Sequence, residues 1–362
     1  MKFRVGSQTF TEEPLGLPAQ DGFGWPQLEF NEAIGPNNRY IICRKLGWGT
    51  TSSVWLAHDT VNNSYVAIKI LIGRLTNLFQ QNHLPEWMIL KQVSSLPNPH
   101  CLQLLSDFVI PGKGSAGEHL CFVTQVLGGD VSKLDETCGP IFPLPLAKHI
   151  LLHILHGIAH AHSCGIVHTD LHLSNIFFNA CMSTADLDKL LKSNPSSAVS
   201  QPLPVPTLEE AMQRTFILAD FGTQPIANHI TDEITVPDLC SPEVDIWTFG
   251  CLLEPLPELN LDPTTSQLCQ MMIYTEEDFS PEQLNAGQRS AQFFKADCNL
   301  IAEVPIPVFP IERAIRCYHV IGKEEVVPMA TLMWRCLHLD PANRASAAEL
   351  LSDPWFKDVD PI

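Results

Sequence analysis

The chain has 362 residues, 45% of them hydrophobic and 17% charged, a balance that suits a folded protein long enough for two modest domains or one large two-lobed one. Its formal net charge of −18 argues against direct nucleic-acid binding, which needs clustered Lys and Arg; it fits basic partners or a solvated acidic surface. No apolar run of about eighteen residues or more occurs, so no membrane span is expected, and M-K-F-R-V-G-S-Q-T-F has no apolar core of the kind a signal peptide needs. The twelve cysteines show no C-x-x-C spacing and are expected to be reduced thiols in packed positions. These features together predict an unsecreted protein of the cytoplasm or nucleus.

Residues 1–39 are expected to form an irregular arm, punctuated by Pro14, Pro18, Pro26 and Pro36, with Phe23, Trp25 and Phe30 able to pin it to a lobe. From Arg39 the β-branched and aromatic residues of R-Y-I-I-C-R-K-L-G, G-W-G-T-T-S-S-V-W-L-A-H and S-Y-V-A-I-K-I-L, with a turn at Asn62-Asn63, predict three antiparallel strands. A helix is expected around Leu84–Val93, then a strand at H-L-C-F-V-T-Q-V-L-G-G whose glycines suit a hinge. Leu146, Ile150, Leu151, Ile154, Leu155 and Ile158 share one face of a following helix that stops near Gly165. His153, His156 and His160 also recur at helical spacing there, but with no carboxylate or Cys nearby to complete a zinc site they are expected to be ordinary surface histidines. Residues 179–215 look like an insertion with two short helices, capped by Ser183 with Asp186 and by Thr207 with Glu210, and a flexible S-N-P-S-S-A-V-S-Q-P-L-P-V-P link between them. The remainder, from Phe216, is expected to be mostly helical with proline-punctuated loops.

The stretch V-H-T-D-L-H-L-S-N-I-F-F from Val167 to Phe178 carries the chemistry. Phosphoryl transfer needs a carboxylate to hold a hydroxyl in line with the γ-phosphate, a role for Asp170. It also needs a neutral oxygen to help hold a metal, a role for Asn175 five residues on. Gly47-Trp48-Gly49 lies between two strands, and V-A-I-K follows at strand distance, so Lys69 can reach phosphates and Glu86 on the next helix can hold that lysine by an ion pair. Asp220 of D-F-G follows a further strand and is a natural ligand for a magnesium ion that bridges phosphate oxygens. Singly, each piece has a plain alternative: a surface lysine, a solvated glutamate, a turn. Together, in this order and on these element types, they point to one nucleotide site.

The same pieces sit in longer stretches: K-L-G-W-G with S-S-V-W-L-A (Lys45–Ala57), L-P-E-W-M-I-L-K-Q-V around Glu86, H-L-C-F-V-T-Q-V-L-G (His119–Gly128), H-T-D (His168–Asp170), and D-P-A-N-R-A-S-A-A-E-L-L-S-D-P-W-F near the end. From Tyr40 to about Phe356 the chain resembles the eukaryotic protein kinases, and within them it is similar to the SR-protein kinase (SRPK) family, its fungal members in particular. The resemblance implies an α+β two-lobed kinase fold: a small antiparallel N-lobe over 40–127 with one main helix, and a larger, mostly helical C-lobe over 128–358 that includes the 179–215 insertion. It implies ATP and Mg2+ as cofactors. Leu46, Val54 and Ala67 would cover the adenine with Phe177 beneath, Gly47 and Gly49 would line the phosphate loop, and backbone groups of Gln125 and Leu127 would bond the base edge. Thr124 would be the gatekeeper, and Asp130 would reach the ribose. The implied partners are basic, Arg-Ser-rich protein substrates, selected by some of Glu254, Glu258, Asp262, Glu276, Glu277, Asp278 and Glu282, against only Arg289 and Lys295 nearby; exposed loop acids are the plain alternative. A monomer is expected.

Thr169 stands where many kinases carry an Arg that binds an activation-loop phosphate, and no Lys or Arg lies between Asp220 and Glu243, so activity is expected not to depend on loop phosphorylation. Two departures bear on turnover. S-P-E at Ser241–Glu243 resembles the end of an activation segment, its Glu expected to pair with Arg344, but Asp245 follows two positions later, so the two Cα atoms lie at most about 7 Å apart where the family has roughly a dozen residues. The Arg usual just before this motif is replaced by Leu239-Cys240. The substrate floor is therefore missing or rebuilt, which leaves three readings: a Ser/Thr kinase, a pseudokinase or ATP-binding scaffold, and, against the W-G, H-T-D and D-P-x-x-R features, a kinase-fold small-molecule phosphotransferase. The second departure is His172, at a catalytic-loop position where Ser/Thr kinases usually have Lys touching the transferring phosphate. Free imidazole, with a pKa of about 6.5, is mostly neutral at pH 7, whereas Lys is charged. His172→Lys is expected to raise turnover in a peptide-phosphorylation assay; no gain, or a loss, in active enzyme contradicts this.

Overall fold

The computed structural model describes residues 3–5, 8–10, 13–81, 85–139, 141–197, 199–221, 241–253, 261–287, 289–302, 310–317 and 319–359. The chain divides into two compact units: Met1–Cys138 with Phe177–Ala219, and Gly139–Ile176 with Asp220–Ile362. This partition differs from the 40–127 and 128–358 lobes read from the sequence, in that 128–138 and the whole 179–215 insertion group with the first unit.

The first unit is built on strands. In chain order these are β1 (Phe3–Val5), β2 (Gln8–Phe10), β3 (Ala33–Ile34), β4 (Tyr40–Trp48), β5 (Ser52–Asp59), β6 (Ser64–Leu71), β7 (Leu104–Pro111), β8 (Glu118–Thr124), β9 (Leu127–Asp130), β10 (Ile176–Asn179) and β11 (Phe216–Leu218). They form a β1–β2 hairpin, a six-stranded sheet in the order β3-β4-β5-β6-β8-β7, and a three-stranded sheet in the order β11-β10-β9. The three strands expected from Arg39 onward are β4 to β6, and β5 and β6 pair without a break in register from Ser52↔Leu71 to Asp59↔Ser64. Strand alternation then sorts their side chains. Val66, Ile68 and Ile70 join Trp55, Ala57, Cys121 and Val123 in the core on one face, whereas Leu71 packs with Leu90, Leu120 and Phe122 on the other. Lys69 shares the parity of Leu71, so it faces the side covered by the helix Pro85–Val93. The hairpin β4–β5 ends at Asp59, which accepts from the Arg39 guanidinium at 2.7 and 2.6 Å and from the backbone N–H groups of Val61 and Asn62.

The 179–215 insertion contains both helices expected of it, Thr184–Ser193 and Leu208–Ala211, each opened by a reciprocal capping box at Ser183 and Thr207. The link between them is not the flexible segment its Pro/Ser composition suggests. Arg44, only 2% exposed, donates to the carbonyls of Asn194 and Gln201 at 3.0 and 2.8 Å. The Gln201 N–H bonds the Lys45 carbonyl at 2.8 Å, and the Ser196 hydroxyl donates to the Cys43 carbonyl. Leu187 and Leu203 pack on Leu56, and the Tyr65 hydroxyl reaches Asp188 at 2.6 Å. Two register shifts in β4, between Ile42 and Arg44 and between Lys45 and Gly47, redirect this stretch of strand.

The second unit is helical. The long helix Leu144–Ser163 buries the predicted stripe of Leu146, Ile150, Leu151, Ile154, Leu155 and Ile158, and Gly165 follows its end at φ 72°. Burial extends beyond the stripe to Lys148, His149 and His153. His153 is thus not a surface residue, because the helix is covered on more than one side. Further helices run over Pro242–Leu253, Pro263–Thr275, Pro281–Ala286, Ile311–Cys317, Lys323–Cys336 and Ala347–Leu350. Several prolines expected in loops instead open helices, where a missing N–H costs nothing. Among the described residues no helix is long and apolar enough to cross a membrane. The described cysteines are free thiols; Cys101, Cys121, Cys269 and Cys336 are buried, but Cys181 and Cys317 are exposed rather than packed.

In the first turn of Pro242–Leu253, Asp245 is 1% exposed. Its carboxylate accepts from the backbone N–H groups of His168 and Thr169 at 2.7 and 2.8 Å and from His162 Nε2 at 2.9 Å. This holds Thr169 in the left-handed region, at φ 65°, a conformation that a β-branched residue adopts only when its surroundings enforce it. Asp245→Ala would leave two buried amides without acceptors and is expected to lower unfolding stability by about 3 kcal/mol, read from urea denaturation; a loss under about 1 kcal/mol contradicts the anchoring role. Asp59 supplies a pH test. The Arg39 guanidinium beside it lowers its pKa to about 2, below the value of an unfolded Asp. The stabilisation is therefore fully present above about pH 4 and is lost as pH falls toward 2. In Asp59→Asn the stability deficit relative to the parent is expected to shrink between about pH 4 and pH 2.5; a constant deficit contradicts it.

Candidate functional site

In the first unit, the parity of β6 brings Lys69 Nζ to 2.5 Å from Glu86 Oε1. Both side chains keep partial exposure, at 23% and 21%, so the lysine is oriented without being sealed off. Val54 lies opposite Lys69 across β5–β6, and Ala67 lies between Leu56 and Thr124 of the neighbouring strands. Gly47 ends the bulged part of β4, paired with Val54, and the Gly49 N–H bonds the Ser52 carbonyl at 2.8 Å. A Cβ placed on Gly47 or Gly49 would have no protein atom within 4 Å, so the loop leaves open space beside its backbone, as a phosphate cradle requires. Leu46 is partly buried and packs against the cluster of Leu56, Leu187 and Leu203.

Strands β8 and β9 place Thr124, Leu127 and Asp130, with Gln125 between them. Thr124 is buried and its hydroxyl donates to the Gln125 carbonyl at 3.2 Å; the Gln125 side chain accepts from the Gln103 N–H at 3.1 Å. Leu127 begins β9, and Asp130 at its end pairs in register with Phe177 of β10. Burial raises the Asp130 carboxyl pKa, opposed by the Lys133 N–H that it accepts at 2.9 Å. Gly128 is required sterically: a Cβ there would stand 2.7 Å from the Phe178 ring.

In the second unit the catalytic-loop candidates are assembled around Asp170. Asn175 is buried, and its Nδ2 donates to the Asp170 carbonyl at 3.0 Å and to its carboxylate at 3.2 Å, which leaves the amide oxygen of Asn175 available to a cation. The Asp170 side chain is 64% exposed, open to a substrate, and His172 Nε2 stands 3.5 Å from Oδ2. Phe221 is buried with its ring 5.0 Å from that of His168. Asp220 before it is held at φ 59°, left-handed like Thr169. Gly222 of the D-F-G motif lies outside the described residues. An amide oxygen and a carboxylate are the hard donors that magnesium takes together with phosphate oxygens. Among the described residues no three His, Cys, Asp or Glu cluster as a closed metal site, the three spaced histidines of Leu144–Ser163 included.

The S-P-E motif is absorbed into the helix Pro242–Leu253, with Glu243 and Asp245 both in its first turn. Arg344 donates to the backbone carbonyl of Glu243 at 2.9 Å and to that of His338 at 2.8 Å, with its guanidinium 4.9 Å from the centre of the Trp247 ring. Of the acids considered for substrate selection, Glu254 and Glu258 lie outside the described residues. Asp262 caps Pro263–Thr275, and Glu277 is engaged by His338 Nδ1 at 2.7 Å and the Leu339 N–H at 2.6 Å. Glu276, Asp278 and Glu282 are exposed. The positioning roles of Asp245 and His162 were missed in the motif reading, although the D-I-W letters around Asp245 were a visible signal.

A protein kinase domain family model matches residues 40–200. Over 98% of its length the chain is 26% identical to a serine/threonine-protein kinase SRPK of Physarum polycephalum, and the alignment covers 93% of that protein. Protein kinase dsk1 of Schizosaccharomyces pombe is 34% identical over 39% of this chain, and the mouse SRSF protein kinase 3 is 34% identical over 42%. The chain spans only about a quarter of the length of those two relatives, 26% and 27%. A solved kinase-domain crystal structure is similar with a TM-score of 0.62 at 17% identity, covering 91% of this chain and 99% of that one, a likeness that speaks for the two-lobed kinase fold. The domain match, the full-length similarity and the assembled catalytic loop agree: over residues 40–200 the chain is similar to the protein kinase domain, and over nearly its whole length it is similar to an SRPK serine/threonine kinase.

Proposed function

We propose that the chain transfers the γ-phosphate of ATP to Ser hydroxyls in basic, Arg-Ser-rich proteins. The observation that carries this is the Lys69–Glu86 ion pair at 2.5 Å, which fixes a cation for the phosphates, in a chain whose exposed Asp170 is tied to Asn175. Asp170 orients the serine hydroxyl and accepts its proton as the oxygen–phosphorus bond forms and the γ-phosphorus bond to the bridging oxygen breaks, releasing ADP. Lys69 binds phosphate oxygens, and Glu86 keeps it from wandering. Asn175 and Asp220 would hold Mg2+, which neutralises charge developing on the transferring group. His172, 3.5 Å from Asp170, takes the catalytic position usual for Lys. Leu46, Val54, Ala67 and Phe177 would cover the adenine, Gly47 and Gly49 the phosphates, Gln125 and Leu127 the base edge, and Asp130 the ribose.

Substrate selection by arginine is supported by the net charge of −18 and by the exposed Glu276, Asp278 and Glu282. Action as a monomer in the cytoplasm or nucleus, without direct nucleic-acid or membrane binding, belongs to the same proposal. A second reading is favoured by one observation: the helix Pro242–Leu253 begins directly after Ser241, so the stretch that connects these parts in the family is absent. A chain that binds ATP as a scaffold, without docking a peptide productively, fits that feature. Labelled ATP, magnesium and an Arg-Ser peptide separate the two. Transfer that falls about a hundredfold or more in Asp170→Asn is the expected result; nucleotide-induced thermal stabilisation with no transfer contradicts the kinase reading and supports the scaffold.

A further inference from the structure

The loop between β4 and β5 carries two glycines with open space where a side chain would stand, so beyond the Gly49–Ser52 bond its conformation rests on what packs against Trp48 and the two ends of the loop. Residues 13–25 attach to this region at two places, through Trp48 and through Lys45, and the loop is also tied to Ile72. Trp48, between the two glycines, packs with Phe23, Trp25, Ile72 and Leu75, and Trp25 and Ile72 in that cluster are 1% and 3% exposed. At the far side of the loop the Thr51 carbonyl accepts the Ile72 N–H at 3.0 Å. Three residues before Trp48, Lys45 pairs with Glu13, both side chains 4% exposed. This ion pair is shut away from water and close to the Trp55 ring, whose centre is 5.9 Å from Lys45 Nζ.

The segment has a built seat. The N–H groups of Gly73 and Arg74 donate to the carbonyls of Gly24 and Phe23 at 2.7 and 3.3 Å, and the Ala19 N–H to that of Ser115 at 3.0 Å. Gly24 stands at φ 95°, where a Cβ would lie 2.5 Å from the Ala116 carbonyl oxygen, and a Cβ on Gly73 would lie 1.8 Å from the same atom. Only glycine lets the backbones approach this closely. The seat therefore fixes Trp25 and Ile72, and through them both ends of the loop.

We propose that residues 13–25 are a positioning arm for the phosphate loop, with Trp25 and Glu13 its two working side chains. A loop ordered in advance pays less conformational entropy when phosphates arrive, so the arm raises affinity for the phosphate part of a nucleotide and not for the nucleoside. This rests on the nucleotide-binding reading above.

Calorimetric titration of the full chain with ATP and, separately, with adenosine tests it. Gly24→Ala disturbs the seat without touching the loop, Glu13→Gln keeps the shape of the arm while removing one charge, and Trp25→Ala empties the cluster. The expected result is ATP affinity reduced about tenfold in Gly24→Ala and about threefold or more in Glu13→Gln, with adenosine affinity held within about twofold. Trp25→Ala adds weight where its thermal midpoint shows that it folds. Unchanged ATP affinity in folded Gly24→Ala and Glu13→Gln overturns the arm, as does equal loss of ATP and adenosine, which would mean general loosening. A parent chain that binds neither compound overturns the nucleotide reading itself, and the arm's role with it.

Discussion

A buried carboxylate with three donors around it governs the second unit. Removing Asp245 from water is unfavourable unless its oxygens are well satisfied, and the His168 and Thr169 amides with His162 supply that satisfaction. In return the backbone just before Asp170 is pinned in a left-handed conformation it would not choose. The exposed Asp170 can thus be both accessible and oriented, since its position is set by buried groups behind it. Lys69 is handled in a comparable way in the first unit, where strand parity and the helix Pro85–Val93 bring Glu86 to it.

Much of this was legible in the residues alone because it is local or periodic. The alternation of S-Y-V-A-I-K-I-L gives β6, the apolar stripe from Leu146 gives the long helix, and the Ser183/Asp186 and Thr207/Glu210 pairs mark helix starts within a residue. What was not legible depends on long-range partners. Residues 193–206 have linker composition, and their order comes from Arg44, about 150 positions earlier in the chain. His153 reads as a surface residue because a helix pattern reports one buried face and cannot report a second. Asp245 stands in the visible letters D-I-W, but its partners, amides 76 and 77 positions before it, lie too far along the chain to be read locally.

The shortened connection after Glu243 is a departure from the kinases that the chain resembles. Fusing S-P-E into the first turn of Pro242–Leu253 keeps Arg344 engaged with this region, through the Glu243 carbonyl and the Trp247 ring. The anchor of the catalytic loop and this altered connection therefore share one helix turn. The Lys69–Glu86 pair and the β4–β5 loop lie in the other unit, so under the kinase proposal nucleotide binding and peptide phosphorylation are separable.

The kinase proposal requires that Asp220 hold magnesium together with a bound ATP. It is tested most directly by calorimetric titration with ATP in the presence and absence of Mg2+, on the parent and on Asp220→Asn. The account predicts that magnesium tightens ATP binding to the parent by about tenfold or more, and that this gain disappears in Asp220→Asn. A parent indifferent to magnesium, or a full magnesium gain in Asp220→Asn, would contradict it.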